Sequence, residues 1–501
     1  MSRISSSWMV AVAVVSAAVV SMVRPAAAQE WVTFRGYVET DNRMTIEGES
    51  EFTFNENTFG MTVEAFPSDE VRLLGSFQID ALNTQERTDE EGSITIDEQQ
   101  RRDSTDPVRL ELDEAYMMVT GLGLPDLDVK IGKQRIQWGT ADQFNPTDNL
   151  NPDDFHDPLL FGKKTPTPAI QAQYYLGDFT FTAVYLPQFY PSLLPEQDLR
   201  PIYEKNYEEL AGEFHINTGS DRLDVLFKGL MLKAIQQAEL GDVAVRAKLP
   251  QNGPSSAGAG GKIATNVAGV DVSTSYAYVY DDFGVPRRVN LTVDPLSTGF
   301  QFIDSVDLEI NNEFYRMHVI GGDFAMNVPG LDTGLWGEGA YFIPADRFDT
   351  DYFLDMGPDV NDILGSIAHR DISDGVVISQ DHPLDDNYFK CTIGTDYTFP
   401  GAWFINAQYI RGLPTDNTAE TVSDYIFAGV DKPFVHDQIK VRFFAGYSFV
   451  DDSYELLPTV YFFPVDAIEL QMGALLVGGD LDTKFGAFGD DIGFFRAKAF
   501  F

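Results

Sequence analysis

Residues 437–449, DQIKVRFFAGYSF, place Ile439, Val441, Phe443, Ala445, Tyr447 and Phe449 on one face and Lys440, Arg442, Phe444, Gly446 and Ser448 on the other. Such alternation is the signature of a β-strand, whose successive side chains point to opposite faces. The same period runs through 269–280, 388–399 and 467–476. Strands of soluble proteins average about five or six residues. A tilted strand of about nine to eleven residues crosses a bilayer. Aromatic residues gather toward strand ends, as in Phe179 and Tyr185 or Trp403 and Tyr409, where membrane interfaces favour them.

The connections alternate in length. Short turns at 67–69, 121–126, 177–178, 328–332, 400–401 and 464–466 are separated by long polar loops at 82–106, 139–167, 187–257, 282–311 and 345–386. Short turns on one side and long loops on the other describe an outer-membrane barrel. The candidate strands are 31–40, 57–66, 70–81, 107–119, 126–138, 168–177, 178–187, 258–266, 269–281, 312–327, 332–343, 387–399, 401–412, 422–431, 437–449, 454–463, 466–476 and 491–501. The fold class expected is therefore all-β, a transmembrane antiparallel β-barrel of about 18 strands (16–18) with long extracellular loops.

The N-terminus reads as a secretory signal peptide: Arg3, an apolar run from Trp8 to Val23, and Ala26-Ala27-Ala28 before Gln29. Residues 1–28 are expected to be removed near Ala28, leaving 29–501 as a single barrel domain in the outer membrane of a Gram-negative bacterium. The formal net charge of −42 excludes nucleic acid as a partner. One cysteine, Cys391, allows no disulfide framework. The last strand, GFFRAKAFF, sets Phe501 with Ala499, Ala497 and Phe495 on one face. A final strand ending in Phe resembles the sorting signature that the outer-membrane assembly machinery reads. Expected partners are that machinery, outer-membrane lipid and lipopolysaccharide, and a periplasmic or inner-membrane transport component.

The densest stretch is GKQRIQWGTADQFNPTDNLNPDD, 132–154. Asn145-Pro146 and Asn151-Pro152 read as two rigid turns, since Pro fixes φ and Asn or Asp hydrogen-bonds local backbone. A rigid loop also suits a constriction. Lys130, Lys133, Arg135, Lys163 and Lys164, facing Asp142, Asp148, Asp153, Asp154 and Asp157, would set a transverse field across a pore. Alternation slips near Lys133, so whether Lys133, Gln134 or Arg135 enters the lumen stays open. Further lumen candidates are Arg316, His318, Glu338 (paired with Arg316 or another base), Lys440 and Arg442. A Ca²⁺ site is a third option for the carboxylates of this loop and of 345–386, but neither has EF-hand spacing, and no metal ligand or cofactor is assigned.

KIGKQRIQWGTADQFNPTDNLNPDD resembles the G-[RK]-Q-x-x-x-W-G…D…NP-x-D signature of the DUF1302 outer-membrane proteins. IGGDFAMNVPGLDTGLWGEGAYF (320–342) and VAGVDVSTSYAYVYDDFGVPRR (267–288) agree more weakly. The resemblance implies a large barrel serving the passage of substances, hydrophobic or lipid-like ones included, across the outer membrane.

Within 187–257 the period changes. Residues 221–240 put Leu223, Leu226, Phe227, Leu230, Met231, Ala234 and Ile235 on one helical face. An amphipathic loop helix is expected there, capping the barrel or offering an apolar surface. None of the six His lies in a G-x-S-x-G or H-E-x-x-H context, so no catalytic residue is assigned. Three readings follow: a channel moving small or hydrophobic solutes, a cation-preferring diffusion porin, and a structural or adhesive barrel.

Overall fold

The computed structural model describes residues 31–46, 52–82, 96, 100–102, 107–194, 239–295, 303–331, 333–355 and 376–501. The expected signal peptide and amphipathic helix face lie outside them. Twenty-three strands are described in chain order: β1 (Val32–Thr45), β2 (Phe52–Ser68), β3 (Val71–Ala81), β4 (Val108–Val119), β5 (Leu127–Gln134), β6 (Thr167–Leu176), β7 (Phe179–Leu186), β8 (Glu239–Lys248), β9 (Gly258–Val267), β10 (Val270–Tyr280), β11 (Val285–Pro295), β12 (Ile303–Glu313), β13 (Arg316–Val328), β14 (Thr333–Pro344), β15 (Thr350–Asp355), β16 (Val376–Asp381), β17 (Tyr388–Phe399), β18 (Trp403–Arg411), β19 (Asp424–Phe434), β20 (Ile439–Ser448), β21 (Tyr454–Val465), β22 (Ile468–Gly478) and β23 (Ile492–Phe500).

Eighteen of them form one sheet in which every pair is antiparallel. Neighbours follow chain order except where β8, β11, β12, β15 and β16 are skipped. β23 pairs with β1, from Tyr37 opposite Phe500 to Thr45 opposite Ile492, so the sheet closes into a barrel without an edge. Phe501 seals the junction: its N–H donates to Gly36 O and its carbonyl accepts from Gly36 N–H, both at 3.0 Å. Its ring stacks on Phe59 at 6.0 Å.

The two faces separate as the alternation demands. On β17, Phe389, Ile393 and Phe399 are exposed on the outside, while Tyr388, Lys390 and Thr392 are buried within. On β22, Met472 is 63% exposed, whereas Leu475, of opposite phase, is buried. Such an apolar exterior is stable only against lipid. Eight short turns join strands at the end that also holds the start of β1 and the end of β23. The long loops emerge at the other end.

Those loops carry a second sheet, ordered β16-β15-β11-β12-β8. β11 and β12 form an antiparallel hairpin, extended by β15 and β8 through parallel pairing. Val289, Leu291, Leu308 and Leu354 are buried within this layer. The segments 187–257, 282–311 and 345–386 read in sequence as polar loops, and these five strands correct that reading. Their acidic alternation, as in DSVDLEINNE, has too few apolar residues to stand out.

Candidate functional site: the lumen and its transverse loop

β5 ends at Gln134, four residues before the sequence reading placed its end, and residues 135–166 then run across the inside of the barrel. The first part is apolar and welds to the wall. Ile136, Trp138 and Leu150 pack with Ala169, Val184, Ala277, Val279, Val319, Ala340 and Phe342, from β6, β7, β10, β13 and β14. Small wall residues make room. A Cβ at Gly260 would meet the Trp138 ring at 2.8 Å, and one at Gly321 would meet Thr147 at 2.7 Å. Burial of this kind contributes roughly 25 cal/mol per Å² of apolar area, so the weld fixes the loop along one side of the lumen.

Polar groups set its shape. Asp148 N–H donates to Asn145 O at 2.9 Å, closing the turn expected over Asn145–Asp148. The second Asn acts differently. Asn151 Oδ1 accepts from Ile136 N–H at 2.7 Å, and its amide donates to Gln134 O, Thr165 O and Thr167 Oγ1 at 3.0–3.2 Å. It thus staples the start of the loop to its end. Gly139 has φ +91°, and a side chain there would run into the Glu338 carboxylate. That carboxylate accepts from Thr147 Oγ1 at 3.0 Å and Thr140 N–H at 3.2 Å.

At the far side of the lumen Asp157 meets Arg43 of β1 in a bidentate pair, both contacts at 2.7 Å, and Arg496 of β23 at 3.4 Å. Asp41 binds the same two arginines, at 2.8 and 2.6 Å. Burial raises the Asp157 carboxyl, but Arg43 and Arg496 outweigh it and hold the group below its ordinary range. Near the outer mouth Lys164 Nζ donates to Asp153 at 2.9 Å and to Asp148 O at 3.1 Å. Burial pushes the Asp148 carboxyl up to about 7 and that of Asp153 up to about 6, against the pull of Lys164. Burial lowers Lys164, yet Asp153, Asp148 and Asp282 more than reverse it.

What the loop leaves is a cavity of about 440 Å³ against β18–β23. Register orders its wall into levels. Lowest lie Tyr461 and Gln471, with Lys440 paired to Tyr461 outside the lining. Above them come Phe404, Asp431, Arg442 and Thr459; then Asn406, Gly429, Phe444 and Leu457; then Gln408, in register with Phe427, Gly446 and Glu455, which lie outside the lining. Arg442 Nε and Nη2 hold Asp431 at 2.7 and 2.6 Å. From the loop, Phe161 packs on Phe444 at 6.2 Å, and Asp142 accepts from the Asn406 amide.

The remaining sequence candidates divide. Lys130 lies inside, its Nζ 3.9 Å above the Tyr116 ring. Gln134 is fully buried inside, Lys133 shares the outward phase of exposed Ile131, and Arg135 pairs with Asp113 while its Nε donates to Lys164 O at 2.7 Å. Asp154 pairs with Lys163 at 2.7 Å. Lys440 and Arg442 face the lumen as expected.

Arg316 and His318 do not. They share the outward phase of Ile320, which is 50% exposed. Arg316 donates to Ala257 O at 3.1 Å and to Ser255 O, over the rings of Tyr278 and Tyr280. His318 Nδ1 meets Tyr276 OH at 2.7 Å. Both residues belong to the polar outer rim, where outward side chains leave the hydrocarbon layer. Glu338 does face inward, but Thr140 and Thr147 engage only its Oε2, its Oε1 is buried without a partner among the described residues, and Arg316 is not its partner. Sequence reading missed Arg43, because β1 continues past residue 40 with polar residues on both faces. It also missed Asn406, Gln408 and Asp431.

No family model matches the chain, and no curated protein matches it. Among solved structures it is similar to OmpF of Salmonella typhi in complex with daunomycin, at 11% identity over 94% of this chain and 97% of that one, with a TM-score of 0.37. It is similar to OmpT, an outer membrane protein of Vibrio cholerae, at 8% identity over 95% and 100%, with a TM-score of 0.38. It is also similar to OccAB1 of Acinetobacter baumannii, at 9% identity over 94% and 95%, with a TM-score of 0.43.

Proposed function

We propose that this chain is an outer-membrane channel that passes small solutes through the cleft between loop 135–166 and strands β18–β23. The observation that carries the reading is the division of the lumen. One side is packed shut by Ile136, Trp138 and Leu150, and the other keeps a cavity lined by both rings and charges. A barrel serving only as a scaffold would gain stability by filling that space as well. The resemblance of 130–154 to DUF1302 proteins fits the same reading, as do the N-terminal signal sequence and the apolar exterior. Bound or released solutes, not reacting ones, are what the chain is proposed to handle.

The experiment is single-channel recording of the refolded full chain in planar bilayers, with solute-swelling of proteoliposomes beside it. A steady conductance below that of an unobstructed barrel is expected. Barrels that insert but pass neither ions nor solutes would overturn the reading. A strong preference for cations with no discrimination among organic solutes would favour a general diffusion porin, to which the acidic loops would lend their charge.

A further inference from the structure

The cavity against β18–β23 sorts its hydrogen-bonding groups by height, and this deepens the channel reading on which it rests. At the bottom the groups are donors. Lys440, below the cavity and not part of its lining, makes no ion pair among the described residues, and its Nζ lies 4.2 Å from the ring centroid of Tyr461, which does line it. One level up is Arg442, of whose five N–H donors Asp431 engages two. The Arg442 side chain is 41% exposed, open to the lumen.

At the top the groups are acceptors. Gln408 is 3% exposed, and its Oε1 is buried without a partner. Gln143 Oε1, on the loop, is also buried and unpartnered. Asp142 faces the same space one level lower, held by Asn406 and making no ion pair among the described residues. A buried acceptor left unmade costs about 1–3 kcal/mol, so these oxygens favour an incoming O–H or N–H.

Between the two ends the wall is apolar apart from Asn406. Phe444 and Leu457 stand beside Gly429, which leaves a concavity, and Phe161 closes it from the loop. Arg442 and Gln408 are four residues apart in register height, roughly 13 Å along a strand. A ring system of one or two fused rings with polar groups at both ends spans most of that length.

We infer that the cavity is a binding site for aromatic carboxylic acids carrying a hydroxyl or ammonium group at the far end, with the carboxylate on Arg442, the ring beside Phe444 and Phe161, and the donor on Gln408 and Asp142. Asp431 keeps the guanidinium oriented while leaving part of it available. It also moderates affinity, as passage requires.

The test is blockade of single-channel current by four naphthalene probes: hydroxynaphthoate, naphthoate, naphthol and naphthylmethylammonium. Recording in about 1 M KCl screens the acidic loops. Hydroxynaphthoate is expected to dwell longest, about tenfold longer than naphthol, because it alone meets both charged donors and buried acceptors. Arg442→Gln combined with Asp431→Asn removes the pair without leaving a lone charge, and the ion current itself reports folding. That variant should shorten hydroxynaphthoate dwells about tenfold and leave naphthol unchanged. Gln408→Leu should reduce hydroxynaphthoate to the level of naphthoate. Equal dwells for hydroxynaphthoate and naphthol, longest dwells for the ammonium probe, or unaltered blockade in the double variant would each overturn the inference while the channel stands. Absence of current in every case would remove the channel reading itself.

Discussion

Arg43 joins the wall and the loop through one guanidinium. Its side chain is 4% exposed, and it holds Asp41 and Asp157 together with Arg496. Two buried acids against two buried bases is a neutral set, and removing one base leaves an uncompensated carboxylate. Arg43→Gln should therefore destabilise the docked loop by about 3–5 kcal/mol, the range for breaking a buried pair from one side. Replacing all four charges by neutral isosteres should cost far less. Urea titration of the loop opening, read as a step to higher conductance, separates the two variants. Gly139→Ala should act on the same loop by another route. The residue sits at φ +91° with the Glu338 carboxylate against the site of any side chain, so strain of about 1–3 kcal/mol is expected, with the same conductance step at lower denaturant. On the outer face, Ile393→Arg would put a cation into hydrocarbon in the middle of β17. A loss of about 2–4 kcal/mol and poor assembly follow, which heat-modifiability of the folded barrel would register.

The transverse loop as an element binds protons when it docks. Asp148 and Asp153 have carboxyls raised from 3.8 to about 7 and about 6 by burial. Between their undocked and docked values the docked loop holds protons that the free loop has lost, so docking weakens as pH rises through that window. Asp157 works in the opposite sense, but its lowered value confines its effect to pH below 3.8. Excursions to a higher conductance level should thus become more frequent from pH 5 to pH 8, and Asp148→Asn should flatten the trend. A profile with the opposite slope would remove proton-linked docking. Elements differ in how plainly the sequence declares them. The eighteen barrel strands are legible because lipid on one side and a polar lumen on the other impose strict alternation, as over 437–449. The β11–β12 hairpin is not, because a sheet lying in water buries only a few residues such as Leu291 and Leu308 and leaves the rest acidic. The outward placement of Arg316 and His318 escaped for a related reason. Polarity marks a lumen only at membrane depth, and at the rim the code lapses. The loop's role as a transverse segment was suggested by its Pro-fixed turns, whereas the partner that anchors its far end, Arg43, lies on a strand distant in sequence.

For the molecule as a whole, the charge is distributed unevenly between loops and lumen. The chain carries 77 acidic residues against 35 basic ones. Inside the barrel many acids are matched, Asp431 by Arg442, Glu39 by Lys498 and Asp323 by Lys262, while Glu338 and Glu455 are buried without a base among the described residues. The cleft lining itself balances Asp142 and Asp431 against Arg442 and Arg496, so much of the surplus acid lies outside it, as with Asp349, Asp351 and Asp381 in the outer loops. Charges at such a distance act through solvent and are screened by salt, with a Debye length of about 30 Å at 0.01 M and about 3 Å at 1 M. Cations should then be enriched at the mouth at low salt, giving a clear potassium-over-chloride preference in the reversal potential. At molar salt the preference should fall toward that of the paired, nearly neutral passage. A filter made of unpaired acids at the narrowest point would behave otherwise, because close charges in a confined lumen are screened little. Reversal potentials across a tenfold gradient, repeated from dilute to molar KCl, distinguish the two. A cation preference that persists undiminished at molar salt would place the selecting acids within the cleft, with Asp142, which makes no ion pair among the described residues, the first to be neutralised.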